Sequence, residues 1–159
     1  MIKRIGFTVL ALLAFSMAAQ AADMHSGTWV MNVAKSTSSD GNLPRSSTQV
    51  VSMDGGWQIV KNHGVDKDGN ATSQNLINKL DGVARPRIGY AGPAAFGMLQ
   101  TSTQSDDFHW KLVGIAITGK ARETQTTVIS PDGKGKTNTT TVDKDGKTSN
   151  RVSVWTSSR

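Results

Sequence analysis

The dipeptide Asp-Gly recurs six times in this chain, at Asp40-Gly41, Asp54-Gly55, Asp68-Gly69, Asp81-Gly82, Asp132-Gly133 and Asp145-Gly146. The first four are 14, 14 and 13 residues apart, and the last two are 13 apart. Both residue types tolerate the positive φ that tight hairpin turns demand. The gap between 81 and 132 is broken at similar intervals by Gly92-Pro93, Ser105-Asp106-Asp107 and Thr118-Gly119-Lys120. Turns this regular leave strands of roughly 8–10 residues joined by short loops, so consecutive strands run antiparallel.

Side-chain chemistry agrees with strands. Trp57, Ile59, Lys61, His63 and Val65 alternate with Gln58, Val60 and Asn62. Phe108, Trp110 and Leu112 share a face, and the apolar phase then moves to Val113, Ile115 and Ile117. A one-residue slip reverses every side chain, which predicts a bulge near Leu112 to Gly114. The Thr-rich stretches 124–127 and 137–141 favour strand through β-branching. Asn75 to Leu80 has enough residues for one helical turn but reads better as strand. The fold expected is all-β, a single antiparallel up-and-down meander closing into a small barrel that hides its edges, with a two-sheet β-sandwich as the alternative.

The first 21 residues read as an address. Lys3 and Arg4 precede an apolar run from Phe7 to Phe15, and Ala19-Gln20-Ala21 is a small-residue cleavage pattern. Cleavage after Ala21 leaves a single domain over 22–159, periplasmic or secreted. The apolar run is too short for a membrane anchor, which needs roughly 20 residues. There is no Cys, which excludes disulfide staples, thiolate metal sites, a thiol nucleophile and an acylated N-terminal cysteine. The 159-residue chain carries 18 Lys and Arg against 12 Asp and Glu. After residue 108 there are nine basic and four acidic residues. Lys134, Lys136, Lys144 and Lys147 gather near two hairpin tips.

Gly27-Thr28-Trp29-Val30-Met31-Asn32-Val33-Ala34-Lys35-Ser36 resembles the opening G-x-W-x-x-N-x-x-K-S of a group of secreted bacterial proteins with lipocalin-like barrels. The likeness continues through Ile129-Ser130-Pro131-Asp132-Gly133 and a V-x-V-aromatic ending at Trp155. It implies a lipocalin-like barrel and an exported location more than any activity. In such a barrel Gly27 permits close approach of the first strand and Trp29 plugs the closed end.

Catalytic constellations are not visible. Glu123 is the single Glu, nearly every Asp sits in a turn, and Asp106 and Asp107 would point to opposite faces of a strand. His25, His63 and His109 lack metal-ligand spacing, and no G-x-S-x-G elbow is present. Asp66 to Asn70 and Asp143 to Lys147 resemble half a calcium loop without its distal Glu. Basic residues are not interleaved with aromatics, so nucleic acid is not an expected partner. The chain therefore reads as a non-enzymatic binding protein without cofactor or metal.

Two kinds of partner fit that reading. The first is a small-molecule ligand inside the barrel, with Trp57, Arg85, Arg87, Tyr90, Phe108 and Trp110 as candidate contacts. In it, Ala84 to Gln100 is the least strand-like stretch and a candidate cover for the mouth, and the Thr-rich strands make the interior partly polar. The second is an acidic protein or envelope polymer bound by the basic hairpin tips. Under either, Ala at Arg85 and Arg87 is expected to leave folding intact.

Overall fold

A computed structural model describes residues 23–87 and 97–158. The described chain is a single antiparallel sheet of eleven strands: β1 (Gly27–Met31), β2 (Thr37–Ser38), β3 (Ser46–Asp54), β4 (Trp57–Val65), β5 (Ala71–Lys79), β6 (Arg85–Pro86), β7 (Met98–Asp106), β8 (His109–Ala116), β9 (Ala121–Ile129), β10 (Gly135–Lys144) and β11 (Lys147–Ser157). The helical element among the described residues is one 3-10 turn, Val33–Lys35, capped by the Asn32 side chain. Asn75 to Lys79 is strand.

The strands lie in the order β5-β4-β3-β1-β11-β10-β9-β8-β7-β6, with β2 on β11. The meander is thus circularly rotated: β1 seats the amino end between β3 and the last long strand. The sheet curls until its two ends meet along a seam between β5 and β7. There Asp81 pairs with Thr103, and the Gly82 N–H donates to the Ser102 carbonyl at 2.9 Å. This all-β meander closed on itself is the architecture the turn spacing predicts. Among the described residues no helix is long and apolar enough to cross a membrane.

All six Asp-Gly glycines have positive φ, between 51° and 98°. At the β10–β11 hairpin Asp145 and Gly146 occupy the two central positions, with φ of 49° and 75°, as a type I′ turn requires. At the β3–β4 hairpin the central pair is Gly55-Gly56 instead, and Asp54 closes β3. Outward threonines then face each other across strands, Thr139 against Thr126 and Thr141 against Thr124, a pairing suited to a solvated sheet face.

The predicted bulge is not at Leu112 to Gly114. β8 pairs with β9 without interruption from His109 to Ile115, and the register shift lies in β7 between Gln104 and Asp106. The change of apolar phase has another cause: Trp110 and Leu112 line the interior, whereas Ile115 and Ile117 are apolar residues on the outside. On β4 the two faces are those read from the alternation, and the inward one carries Gln58, Val60 and Asn62.

The apolar core is small and gathers at one end: Trp29, Met31, Val51, Val60, Trp110, Ile129 and Trp155. Phe108, Leu76 and Leu80 pack against it. Trp29 is fully buried, and its Nε1–H donates to the His25 carbonyl at 3.0 Å, so a large apolar body is sealed in with its one polar atom satisfied.

Candidate functional site

Inside the curl lies a cavity of about 400 Å³, within the usual range for small-ligand sites. Its closed end is made by His25, Met31, Val60, Trp110 and Trp155, and the turn residues Asp66 and Lys67 stand at the opposite, open end. The walls between are amides and hydroxyls, among them Gln49, Gln58, Asn62, Gln74, Gln125 and Asn138. They point inward because they occupy every second position of their strands.

A chain of side chains ties the seam together where the backbone ladder is missing. Asn78 Nδ2 donates to Gln58 Oε1 at 2.8 Å, and Gln100 Nε2 donates to Asn78 Oδ1. Arg87 Nε donates to Gln100 Oε1 at 2.9 Å and its Nη1 to Glu123 Oε2 at 2.8 Å. Residues of β4, β5, β7 and β9 are thereby joined by partners that compensate one another's burial.

Lys136 is the cation of the closed end. It is 2% exposed, and its Nζ donates to Gln49 Oε1 at 2.6 Å. The same nitrogen lies 4.7 Å from the centre of the Trp29 ring and 5.0 Å from that of Trp155, which favours its charged form. Burial works against it and pushes the amine down to about 7. His25 packs against Trp110 with ring centroids 4.1 Å apart and the ring planes tilted by 55°. Burial first, and the nearby Lys136 second, push its imidazole down to about 3, so it is neutral.

Several polar atoms of this lining are buried without a hydrogen-bond partner in the protein: Trp110 Nε1, Trp155 Nε1, Asn62 Oδ1, Asn138 Oδ1 and His25 Nδ1. All five residues line the one cavity. Orphaned buried polar groups are uncommon in folded proteins, and here the residues that carry them all line the same space.

Of the residues singled out from the sequence, Trp110 lines the cavity. Phe108 is half-buried below it against the core. Arg87 is buried in the seam rather than offered to solvent, its side chain paired with Glu123. Trp57 is on the outside, 40% exposed, with Lys79 Nζ 5.2 Å and the Arg85 guanidinium 6.0 Å from its ring centre. Arg85 holds Asp81 there through two bonds of 2.6 and 2.7 Å, which keep that carboxyl down at about 2. Tyr90 and residues 88–96 of the expected mouth cover lie outside the described residues.

The sequence groups Lys136 with the lysines of the hairpin tips, and the structure corrects this: the Gly135 to Thr140 alternation turns Lys136, Asn138 and Thr140 inward. The signal for this was the Thr-rich strand itself, which has no apolar face to bury. Among the described residues no group of three or more His, Asp or Glu side chains is arranged to hold a metal ion.

No protein-family model matches the sequence, and no curated protein sequence does. Among solved structures, the redesigned β-barrel mFAP1, bound to DFHBI, is similar with a TM-score of 0.50 at 13% identity, over 87% of this chain and 99% of that one. Lobster apocrustacyanin A1 matches with a TM-score of 0.43 at 14% identity, over 87% of this chain and 63% of that one. Apocrustacyanin C2 gives 0.43 at 13% identity, over 89% and 64%. At such identities the likeness to mFAP1 concerns the fold, a small antiparallel β-barrel.

Proposed function

We propose that this protein is an exported, non-enzymatic carrier that holds a small, partly polar ligand inside a lipocalin-like barrel. The observation that carries the reading is the set of five buried polar atoms without protein partners, all on residues of one cavity of about 400 Å³. Leaving such groups unpaired costs roughly 1–3 kcal/mol each, and a ligand that pairs them recovers that loss. The barrel fold shared with mFAP1, which is bound to DFHBI, is compatible with this use. The export signal of residues 1–21, with a mature chain from Ala22 acting in the periplasm or outside the cell, belongs to the same proposal, as does kinship with the secreted barrels that open G-x-W-x-x-N-x-x-K-S.

Native mass spectrometry of the mature protein purified from its producing cells tests the reading. A discrete extra mass, lost on denaturation and recovered by solvent extraction, is expected. A clean apo mass in every preparation, together with salt-sensitive capture of an acidic polymer, would move the function to the exposed lysines of the hairpin tips.

A further inference from the structure

Lys136 sets an amine into the closed end of the cavity, and among the described residues no carboxylate answers it. Among the described residues its Nζ has a single oxygen acceptor, Gln49 Oε1, and the ion pairs there involve other residues. A buried charge is ordinarily paired, because the desolvation cost is otherwise uncompensated. Two indole faces offset part of that cost, but they supply no negative charge.

Two tryptophans of the closed end carry donors without acceptors. Trp155 Nε1 and Trp110 Nε1 are buried and unpartnered. The Trp155 ring centre lies 5.0 Å from Lys136 Nζ, and Trp110 joins the group through its tilted contact with His25, whose imidazole is lowered by burial first and by Lys136 second. Further from the floor the polarity reverses. Asn138, the next inward residue after Lys136 on β10, and Asn62 on β4 each present a buried amide oxygen without a donor.

From this juxtaposition we infer that the cavity takes a small hydroxylated organic acid, its carboxylate seated against Lys136 and the indole N–H groups of Trp110 and Trp155, its hydroxyls directed to Asn62 and Asn138. The inference rests on the carrier reading and narrows it. Charge counting selects a carboxylate over a dianionic phosphate monoester, since one ammonium among neutral donors balances a single negative charge. The remaining charged residues of the lining do not alter that count at the floor. Glu123 is held by Arg87, Asp66 and Lys67 belong to the open-end turn, Lys111 is exposed, and Arg151 stands two inward positions from Trp155 on β11.

The test is calorimetric titration with three matched pairs: 3,4-dihydroxybenzoate, 4-hydroxycinnamate and 6-hydroxy-2-naphthoate, each against its primary amide. At pH 6 at least one acid is expected to bind about tenfold tighter than its amide, and Lys136→Met should erase most of that preference. Wild-type protein provides a second readout that needs no variant. With the amine down at about 7, acid binding at pH 8 should draw a proton onto it, seen as a buffer-dependent heat absent with the amide. Equal binding of acid and amide, or an acid preference that survives in the variant, or acid binding without proton uptake, overturns the inference and leaves the carrier reading standing. If no member of any pair binds while native mass spectrometry still finds a carried mass, this inference falls and the carrier reading stands; a clean apo mass as well removes both.

Discussion

Lys136 on β10 and Gln49 on β3, 87 residues apart in sequence, meet inside the barrel through a 2.6 Å bond from Nζ to Oε1. The bond spans a cavity floor on which the lysine has no carboxylate among the described residues. Burial holds the amine at about 7 in the folded protein, against about 10.4 in an unfolded chain. Between those values the unfolded state binds a proton that the folded state does not, so stability rises with pH across this window and the penalty is present in full below pH 7. Chemical denaturation should show a gain of roughly 2–3 kcal/mol from pH 7 to 9.5, the two indole faces moderating the effect. Lys136→Met should flatten that limb and be the more stable protein at pH 6. A wild-type profile that is level or falls over this range would place the ammonium in contact with water.

His25 governs the acid side. Its ring is neutral, held at about 3 by burial and by Lys136, while the unfolded imidazole titrates near 6.5. As pH drops through 6.5 the unfolded state gains a proton that the folded state refuses, so stability is lost on acidification. The expected loss between pH 7 and 4.5 is on the order of 2–3 kcal/mol. That window lies above the range where Asp40, Asp66, Asp81 and Asp132 titrate, since hydrogen bonds hold each of these carboxyls low. His25→Phe keeps an aromatic ring against Trp110 and should remove the slope. An unchanged acid limb in that variant would assign it elsewhere.

The contrast between turns and faces explains what the sequence disclosed. Turn positions are local: a Gly with positive φ after an Asp announces itself, and all six did so. Alternation shows that a strand has two faces but not which of them is inside. On β4 the aromatic and the larger aliphatics lie on the side that proves to be outer, with Trp57 forming a platform for Lys79 and Arg85. Val30, Val50, Ile77 and Ile115 are likewise exposed, whereas Gln58, Asn78, Gln100 and Lys136 are buried. A polar interior inverts the usual rule, so Trp110 was found through its apolar strand while Lys136 and the amides were not. The seam was illegible for a different reason. Its partners come from β4, β5, β7 and β9, and nothing local links them.

Arg87 and Arg85, two positions apart, should behave differently when truncated. Arg87→Ala leaves Glu123 Oε2 and Gln100 Oε1 without their donor in a buried seam, and should cost about 3 kcal/mol. Arg85 lies on the surface with Asp81, where solvent screens the pair, and Arg85→Ala should leave the unfolding midpoint where it is. The sequence alone predicts that both arginines are dispensable for folding; the buried pairing of Arg87 predicts instead that Arg85 alone is. Equal midpoints for the two variants would show that the amide chain from Gln58 to Gln100 holds the seam without its guanidinium.

Gly64 and Gly146 are both constrained, one by space and the other by conformation. Gly64 pairs with Ser47 on one side and Thr72 on the other, and a Cβ there would stand 2.2 Å from the Ser46 carbonyl oxygen and 3.0 Å from Ser47 Cα. Backbone cannot swing aside as a side-chain tip does, so Gly64→Ala must part β3 from β4, at about 2–3 kcal/mol. Gly146 has nothing within 4 Å of a built Cβ but a φ of 75°, so Gly146→Ala costs about 1 kcal/mol through strain alone. Asn tolerates that conformation, and Gly146→Asn should regain most of the loss, whereas no side chain rescues Gly64. Hydrogen exchange separates the two mechanisms. Gly64→Ala should expose the amides of both strands flanking the clash, while Gly146→Ala should change protection at the β10–β11 turn alone. Retained protection across β3 and β4 in Gly64→Ala would mean that the barrel absorbs the methyl by a rigid shift of β4.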